Sequence, residues 1–247
     1  MSAEPSGLAV REDPHDDLSA RPPRALPWHV PRPALEEMLL APAPLVVVRG
    51  PAGSGKTVLT ADVVRRCAAA GGRAVWVDVA RRPSRADVAE TLRRHARASD
   101  GGEVLVVLDR YDARRDTATD DDVLDLVEHF PELRVVATCR RVTGLESTEA
   151  DVRLGVQLVG PDDLALDEAT VRAMAERSGV ALDDRAAARV LRVTGGVAVH
   201  VRVLVNADRR GAVRLGAATD RTLLELAART APEVVDLAVP APTRSAW

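Results

Sequence analysis

The sequence predicts an α/β protein, an open parallel sheet of five strands sandwiched by helices and followed by a small helical region. Three observations predict it. Short apolar runs such as Leu45-Val46-Val47-Val48 and Val104-Leu105-Val106-Val107-Leu108 suit strands covered on both faces. Such runs alternate with amphipathic segments up to about residue 160, after which only helical patterns follow. The first run leads directly into Gly50-Pro51-Ala52-Gly53-Ser54-Gly55-Lys56-Thr57, which has the G-x-x-x-x-G-K-[ST] spacing of a phosphate-binding loop between strand and helix.

In order, residues 1–26 are rich in Pro, Ser, Asp and Arg without periodicity and read as a disordered leader. Leu26-Pro27-Trp28-His29-Val30-Pro31-Arg32-Pro33 carries too much proline for a helix, so it reads as extended. A short amphipathic helix over 34–40, through Leu35, Met38 and Leu39, precedes the first strand at 45–49. The loop is followed by a helix over 58–70, closed by Gly71-Gly72. A second strand spans 73–79, and Ser84 caps a helix that runs to about 98. The third strand, 104–108, ends on Asp109. The acidic stretch 116–122 leads into a helix through Val123, Leu124, Leu126 and Val127 that Pro131 stops. A fourth strand covers 133–138, and the apolar positions of 152–159 read as a fifth. Helix starts then fall near Asp167, Asp183, Gly196 and Thr219. The expected organisation is a leader at 1–26, a nucleotide-binding α/β domain at 27–160, a helical lid domain at 161–238 and a tail at 239–247.

Bulk properties narrow the function. At 247 residues and 46 % apolar content the chain can hold a core, and with 2 % aromatics that core is Val, Leu and Ala. A formal charge of −3 argues against a nucleic-acid surface. Two distant cysteines, Cys67 and Cys139, and five scattered histidines form no metal-ligand spacing or disulfide framework. No run approaches membrane length and no signal-peptide core is present, so a cytoplasmic protein without a membrane partner is expected.

The phosphate loop carries the chemistry. Its glycines let backbone N–H groups wrap a phosphate, and the helix after it points a positive end at the same anion. The expected nucleotide contacts are Gly50, Pro51, Ala52, Gly53, Ser54, Gly55, Lys56, Thr57 and Val58. Lys56 is the only lysine in an arginine-rich chain, which marks a position needing a compact ammonium. It reaches the β- and γ-phosphates of ATP, and the Thr57 hydroxyl is placed to ligate Mg²⁺. Ligands in an open parallel sheet sit outside the carboxyl ends of the strands, where Asp78, Asp109 and Arg140 fall. Asp109 suits the Walker B acid that helps hold Mg²⁺, and Arg140 suits a γ-phosphate sensor. Asp78 reads as a strand-end cap.

Taken together, Val30-Pro31-Arg32-Pro33, the short helix and Leu-Val-Val-Val-Arg-Gly-Pro-Ala-Gly-Ser-Gly-Lys-Thr resemble the start of the ATPase module in large LuxR-type regulators. These belong to the signal-transduction ATPases with numerous domains (STAND). Leu108-Asp109-Arg110-Tyr111-Asp112, 133–141, 158–168 and Thr194-Gly195-Gly196 are similar to that family's Walker B region, sensor strand, entrance to the helical lid and lid-closing motif. The resemblance implies that Val30 and Arg32 lie beside the adenine and that the lid covers the nucleotide. Arg110 departs from it, standing where the family has a second acid that polarises the attacking water. Asp112 or a partner's residue is the available substitute. The resemblance also implies that the chain is a stand-alone or truncated module, since the family continues into further domains.

The function expected is therefore an ATP-binding, ATP/ADP-responsive switch with slow or vestigial hydrolysis, coupled to self-association or a regulatory protein partner. The alternatives are a non-hydrolysing scaffold, supported by Arg110, and a small-molecule kinase. The kinase lacks a clear acceptor-binding acid. A transporter ATPase would need an L-S-G-G-Q-like signature that is missing.

Overall fold

The computed structural model describes residues 21–81, 85–99, 101–113 and 117–230. Its elements are α1 (Pro33–Leu40), β1 (Leu45–Arg49), α2 (Lys56–Ala69), β2 (Arg73–Asp78), α3 (Arg85–Arg97), β3 (Val104–Asp109), α4 (Thr117–His129) and β4 (Leu133–Cys139). They continue as α5 (Thr148–Leu154), β5 (Gln157–Val159), α6 (Pro161–Leu164), α7 (Glu168–Glu176), α8 (Asp184–Thr194), α9 (Ala198–Arg209) and α10 (Asp220–Thr230). The strands form one five-stranded sheet in the order β2-β3-β4-β1-β5, and every pairing is parallel.

Alternation along each strand divides the core. Leu45 and Val47 of β1 point into one layer with Val88 and Leu92 of α3 and Val123 of α4. Val46 and Val48 point into the other with Leu35 and Leu39 of α1 and Leu59 and Val63 of α2. All four β1 side chains are fully buried, and each stabilises the fold by about 1.5–3 kcal/mol relative to exposure. The sheet is thus covered on both faces, which is why its strands are mostly apolar. Helices α7–α10 pack around a third cluster that includes Val171, Val190, Val201, Leu204 and Leu223. Asp167 and Asp183 cap α7 and α8 by accepting hydrogen bonds from the N–H groups of Thr170 and Ala186.

The fifth strand is shorter than expected. Residues 152–154 lie in α5, and only Gln157–Val159 pairs with β1. Ser147 caps α5 through Ala150 N–H, acidic residues fill its first turn, and Gly155 ends it in the left-handed conformation at φ 63°. Val152 lies outward on this helix, 82 % exposed, so its apolarity does not signal a buried strand. Two boundaries also move. Helix α2 begins at Lys56 rather than at 58, and Thr117 to Asp122 belong to α4 itself rather than leading into it. The Ser84 cap, residues 1–20 of the expected leader and the 239–247 tail lie outside the described residues. Residues 21–26 carry no regular element.

Candidate functional site

The strand order brings together the ends that matter. Because β4 lies between β1 and β3, the phosphate loop after β1 and Asp109 at the end of β3 flank the end of β4. The loop starts with Gly50 N–H donating to Cys139 O at 3.1 Å, and it turns through Gly53 (φ 77°) and Gly55 (φ 94°). Lys56 opens α2 and folds back, its Nζ donating to Gly50 O at 2.7 Å, Pro51 O at 2.8 Å and Ser54 Oγ at 3.3 Å. The ammonium is held at the centre of the loop by carbonyls that an anion in the loop would replace. Burial, then the nearby Arg140 charge, lower its pKa to about 8, against the opposing pull of Asp112 and Asp109.

Asp109 is buried, and its Oδ1 accepts from Thr57 Oγ1 at 2.9 Å and from Thr138 Oγ1 at 2.8 Å. Thr138 in turn accepts from Arg110 N–H at 2.9 Å. A hydroxyl and a carboxylate in contact at a loop–helix junction are the hard-oxygen donors that Mg²⁺ accepts, completing its shell with water and phosphate. The described residues hold no cluster of three or more His, Cys, Asp or Glu that would bind a metal on its own. Thr57 and Asp109 therefore fit an ion held jointly with a phosphate ligand, to which it would supply charge neutralisation.

Arg140 follows β4, exposed, on the wall of the cavity described below. Asp112, the available substitute acid, lines the same cavity and is engaged through one oxygen. Its Oδ2 accepts from the N–H groups of Arg140 (2.9 Å) and Arg141 (3.2 Å), fixing the turn that carries Arg140. Arg110 has a left-handed backbone, φ 56°, and its guanidinium is ion-paired with Asp78, so Asp78 does more than cap β2.

The loop faces a cavity of about 440 Å³, large enough for a nucleotide-sized ligand. Its far wall comes from the helices after the sheet. Gly53 O accepts from Val199 N–H of α9 at 3.0 Å. A Cβ on Gly53 would meet Val199 Cγ1 at 2.2 Å, so glycine is required there by contact as well as by φ. Leu164 Cδ1 stands 2.8 Å from where a Gly50 Cβ would be, tying α6 to the loop as well. Val30 lines the cavity and packs on the third core cluster. Arg32 lines it too, but its guanidinium is spent on three carbonyls: Leu164 O at 2.7 Å, Asp163 O at 2.8 Å and Ala165 O at 2.9 Å. Arg32 thus fastens the extended segment to the region after β5. Arg32→Ala is expected to lower stability by about 2–4 kcal/mol, read as a shift in the urea midpoint, because charge-assisted bonds are lost and carbonyls left unpaired.

Several cavity residues were not found from the sequence. Thr138 is the lone hydroxyl near the end of an apolar strand, a signal that was legible. Val199 lies 146 positions after Gly53 and looks like any core valine. Trp28 lies under Arg202, whose guanidinium carbon is 3.9 Å from the ring centroid, and Arg202 also donates to Ser178 Oγ at 2.6 Å. No local pattern announces that pairing. His29 of the same segment is ion-paired with Asp62 of α2.

No family model matches the sequence, and no curated protein matches it. Solved structures do resemble the fold. A signal transduction ATPase with numerous domains and a tetratricopeptide repeat sensor, from Pyrococcus horikoshii, superimposes with a TM-score of 0.56 at 14 % identity over 85 % of this chain. The fold is that of the P-loop ATPases. The Walker-type ATPase of Pyrococcus abyssi (TM-score 0.53, 15 % identity) and PCH-2 of C. elegans (0.52, 13 %) each align with 81 % of the chain, covering 73 % and 67 % of their own lengths. The chain spans 33 % of the length of the Pyrococcus horikoshii protein. It therefore shares the AAA- and STAND-type P-loop architecture, a parallel five-stranded sheet with helices following it. No described helix is long and apolar enough to cross a membrane.

Proposed function

We propose that this chain is an ATP-binding switch module whose hydrolysis is slow or vestigial. One observation carries the reading: Lys56, held by Gly50 O and Pro51 O inside the loop, lies beside the Thr57–Asp109 pair at the mouth of a nucleotide-sized cavity. The triphosphate would take the place of the carbonyls around Lys56, Thr57 and Asp109 would hold Mg²⁺ and so supply charge neutralisation, and Arg140 would meet the γ-phosphate. Val30 and Arg32 lie toward the base. The helices after residue 160 act as a lid, because Val199 N–H already bonds the loop at Gly53. ATP bridging loop and lid favours the closed form, and the ADP state differs in that contact. The switch would act on a regulatory protein partner or on self-association, as in the LuxR-type regulators that the sequence resembles.

A second reading, a scaffold that binds ATP and never turns it over, is supported by Arg110, which stands where the family that the sequence resembles has its water-polarising acid. Binding and turnover separate the two. Titration of labelled ATP, with and without Mg²⁺, should saturate one site, and a measurable but slow release of phosphate favours the switch over the scaffold.

A pH dependence follows from Lys56. Binding a triphosphate requires the ammonium, whose pKa in the free chain is lowered to about 8 by burial and Arg140. The phosphates raise that pKa in the complex, so binding above about pH 8 takes up a proton and affinity falls as pH rises. Between pH 7 and pH 9 the loss is about tenfold, as the free ammonium fraction dictates. Isothermal titration at both values, in buffers of equal ionic strength, checks it.

A further inference from the structure

The end of the cavity away from the phosphate loop supports a further inference, which rests on the ATP-binding reading above. Two helices lead there from the loop. Along α2, Leu59 and Asp62 follow Lys56 on the cavity wall, and Asp62 stands about 9 Å along the helix from Lys56 at a rise of about 1.5 Å per residue. Along α9, Arg202 lies about one turn on from Val199, whose N–H bonds Gly53 O.

The segment before α1 closes this end, and two adjacent residues of it reach the two helices. The Trp28 ring lies under the Arg202 guanidinium, whose carbon is 3.9 Å from the ring centroid, and His29 Nε2 is ion-paired with Asp62 Oδ2. The His29 carbonyl accepts from Arg177 Nη1, and Arg202 is fixed in turn by donating to Ser178 Oγ at 2.6 Å. Trp28, His29, Asp62 and Arg202 all line the cavity. The protein's own contacts thus pin an aromatic ring at this wall, which spares a ligand the cost of ordering it.

The carboxylates on the wall narrow the base. Among the lining residues, Asp112 belongs to the phosphate end beside Arg140, and Asp62 has one oxygen on His29 and the other on Arg65. Guanine presents a ring N–H and an amine side by side, a pair of donors that calls for a free carboxylate. Adenine presents one amine and ring-nitrogen acceptors and makes no such demand.

We propose that Trp28 is the base-stacking residue of the nucleotide site and that this end of the cavity selects adenine. The base lies on the face of the indole that Arg202 leaves uncovered, and Arg202 is a positioning residue that fixes the plane of the ring. Stacking of this kind adds to the affinity of a nucleotide and gives nothing to a phosphate chain without a base.

Affinities for ATP, GTP and inorganic tripolyphosphate, each with Mg²⁺, are measured for wild type, Trp28→Leu, Trp28→Phe and Arg202→Met, with tryptophan fluorescence followed in every titration. Wild type should bind ATP at least about tenfold tighter than tripolyphosphate or GTP, and ATP but not tripolyphosphate should quench its fluorescence. Trp28→Leu should weaken ATP binding about tenfold, leave tripolyphosphate binding unchanged and lose the quenching, with Trp76 and Trp247 as the remaining background. Trp28→Phe, which keeps a ring, should retain most of the preference for ATP, and Arg202→Met should lose part of it. A ratio of ATP to tripolyphosphate affinity that is unchanged in Trp28→Leu overturns the inference. An equal loss of both ligands also overturns it, because Trp28 then acts only through the fold. GTP binding as tightly as ATP overturns the assignment of the base. If wild type binds neither ATP nor tripolyphosphate, the nucleotide-binding reading itself fails.

Discussion

Lys56→Ala is expected to abolish measurable ATP binding while leaving the chain folded. The ammonium bonds two loop carbonyls and the Ser54 hydroxyl, and on the proposed reading those contacts pass to the β- and γ-phosphates of ATP. Charge-assisted hydrogen bonds of this kind contribute about 1.5–3 kcal/mol each. Losing two raises the Kd by at least about a hundredfold, beyond the range of a routine titration. Stability changes less, because the bonds lost at Gly50 O and Pro51 O are offset in part by relief of desolvation. Lys56 is 8 % exposed, and burial already disfavours its charged form, so its removal relieves a desolvation cost. Circular dichroism and a thermal melt on the same sample confirm that the fold survives. Undiminished binding in Lys56→Ala would contradict the placement of the phosphates.

The second large effect is expected at Gly53. Gly53→Ala places a methyl 2.2 Å from Val199 Cγ1 and 2.7 Å from Val199 Cβ, and it forces alanine into φ 77°. Overpacking contributes about 1–3 kcal/mol and the left-handed backbone about 1 kcal/mol more. The cost appears either as lowered stability or as the α9 helix moving away from the loop, with loss of the Val199 N–H to Gly53 O bond. Both outcomes are expected to weaken ATP binding, because the contact between α9 and the phosphate loop is broken before the ligand arrives. The double variant Gly53→Ala/Val199→Ala tests the cause. Shortening Val199 removes the 2.2 Å contact with Cγ1 but keeps the 2.7 Å contact with Cβ, so stability should recover in part, by about 1 kcal/mol, seen as non-additivity in a double-mutant cycle. Strict additivity would show that the two residues do not meet.

How far the sequence disclosed this structure follows from the range of each interaction. Strands β1, β3 and β4 were legible because two-sided burial makes most of their residues apolar, and the helix caps Asp167 and Asp183 because capping is settled within four residues. Residues 152–154 misled because Val152 is an exposed valine on a helix, and apolarity alone does not distinguish it from a strand residue. The sheet order was not legible, since the insertion of β4 between β1 and β3 depends on packing across the whole chain. In the site, the loop and Asp109 stand out by spacing and by position after an apolar run. Thr138, Val199, Trp28 and Arg202 do not, because their partners are distant in sequence and their residue types are common in cores and on surfaces. The hydrogen bonds of Arg32 were not legible either. Arg32 lines the cavity, but its guanidinium is committed to carbonyls 163–165 rather than left open to a ligand. Asp112, weighed as a substitute acid, lines the cavity and also holds the backbone at Arg140 and Arg141 through one of its oxygens.

The central claim is that this chain binds ATP at the phosphate loop and turns it over slowly. Equilibrium titration of the purified chain with labelled ATP and Mg²⁺, followed by quantifying phosphate release from the saturated complex, tests it most directly. Saturable binding at one site, weakened by omission of Mg²⁺ and followed by release far below the median enzyme turnover of about 10 per second, is the predicted result. A folded chain that shows no saturable ATP binding would contradict it.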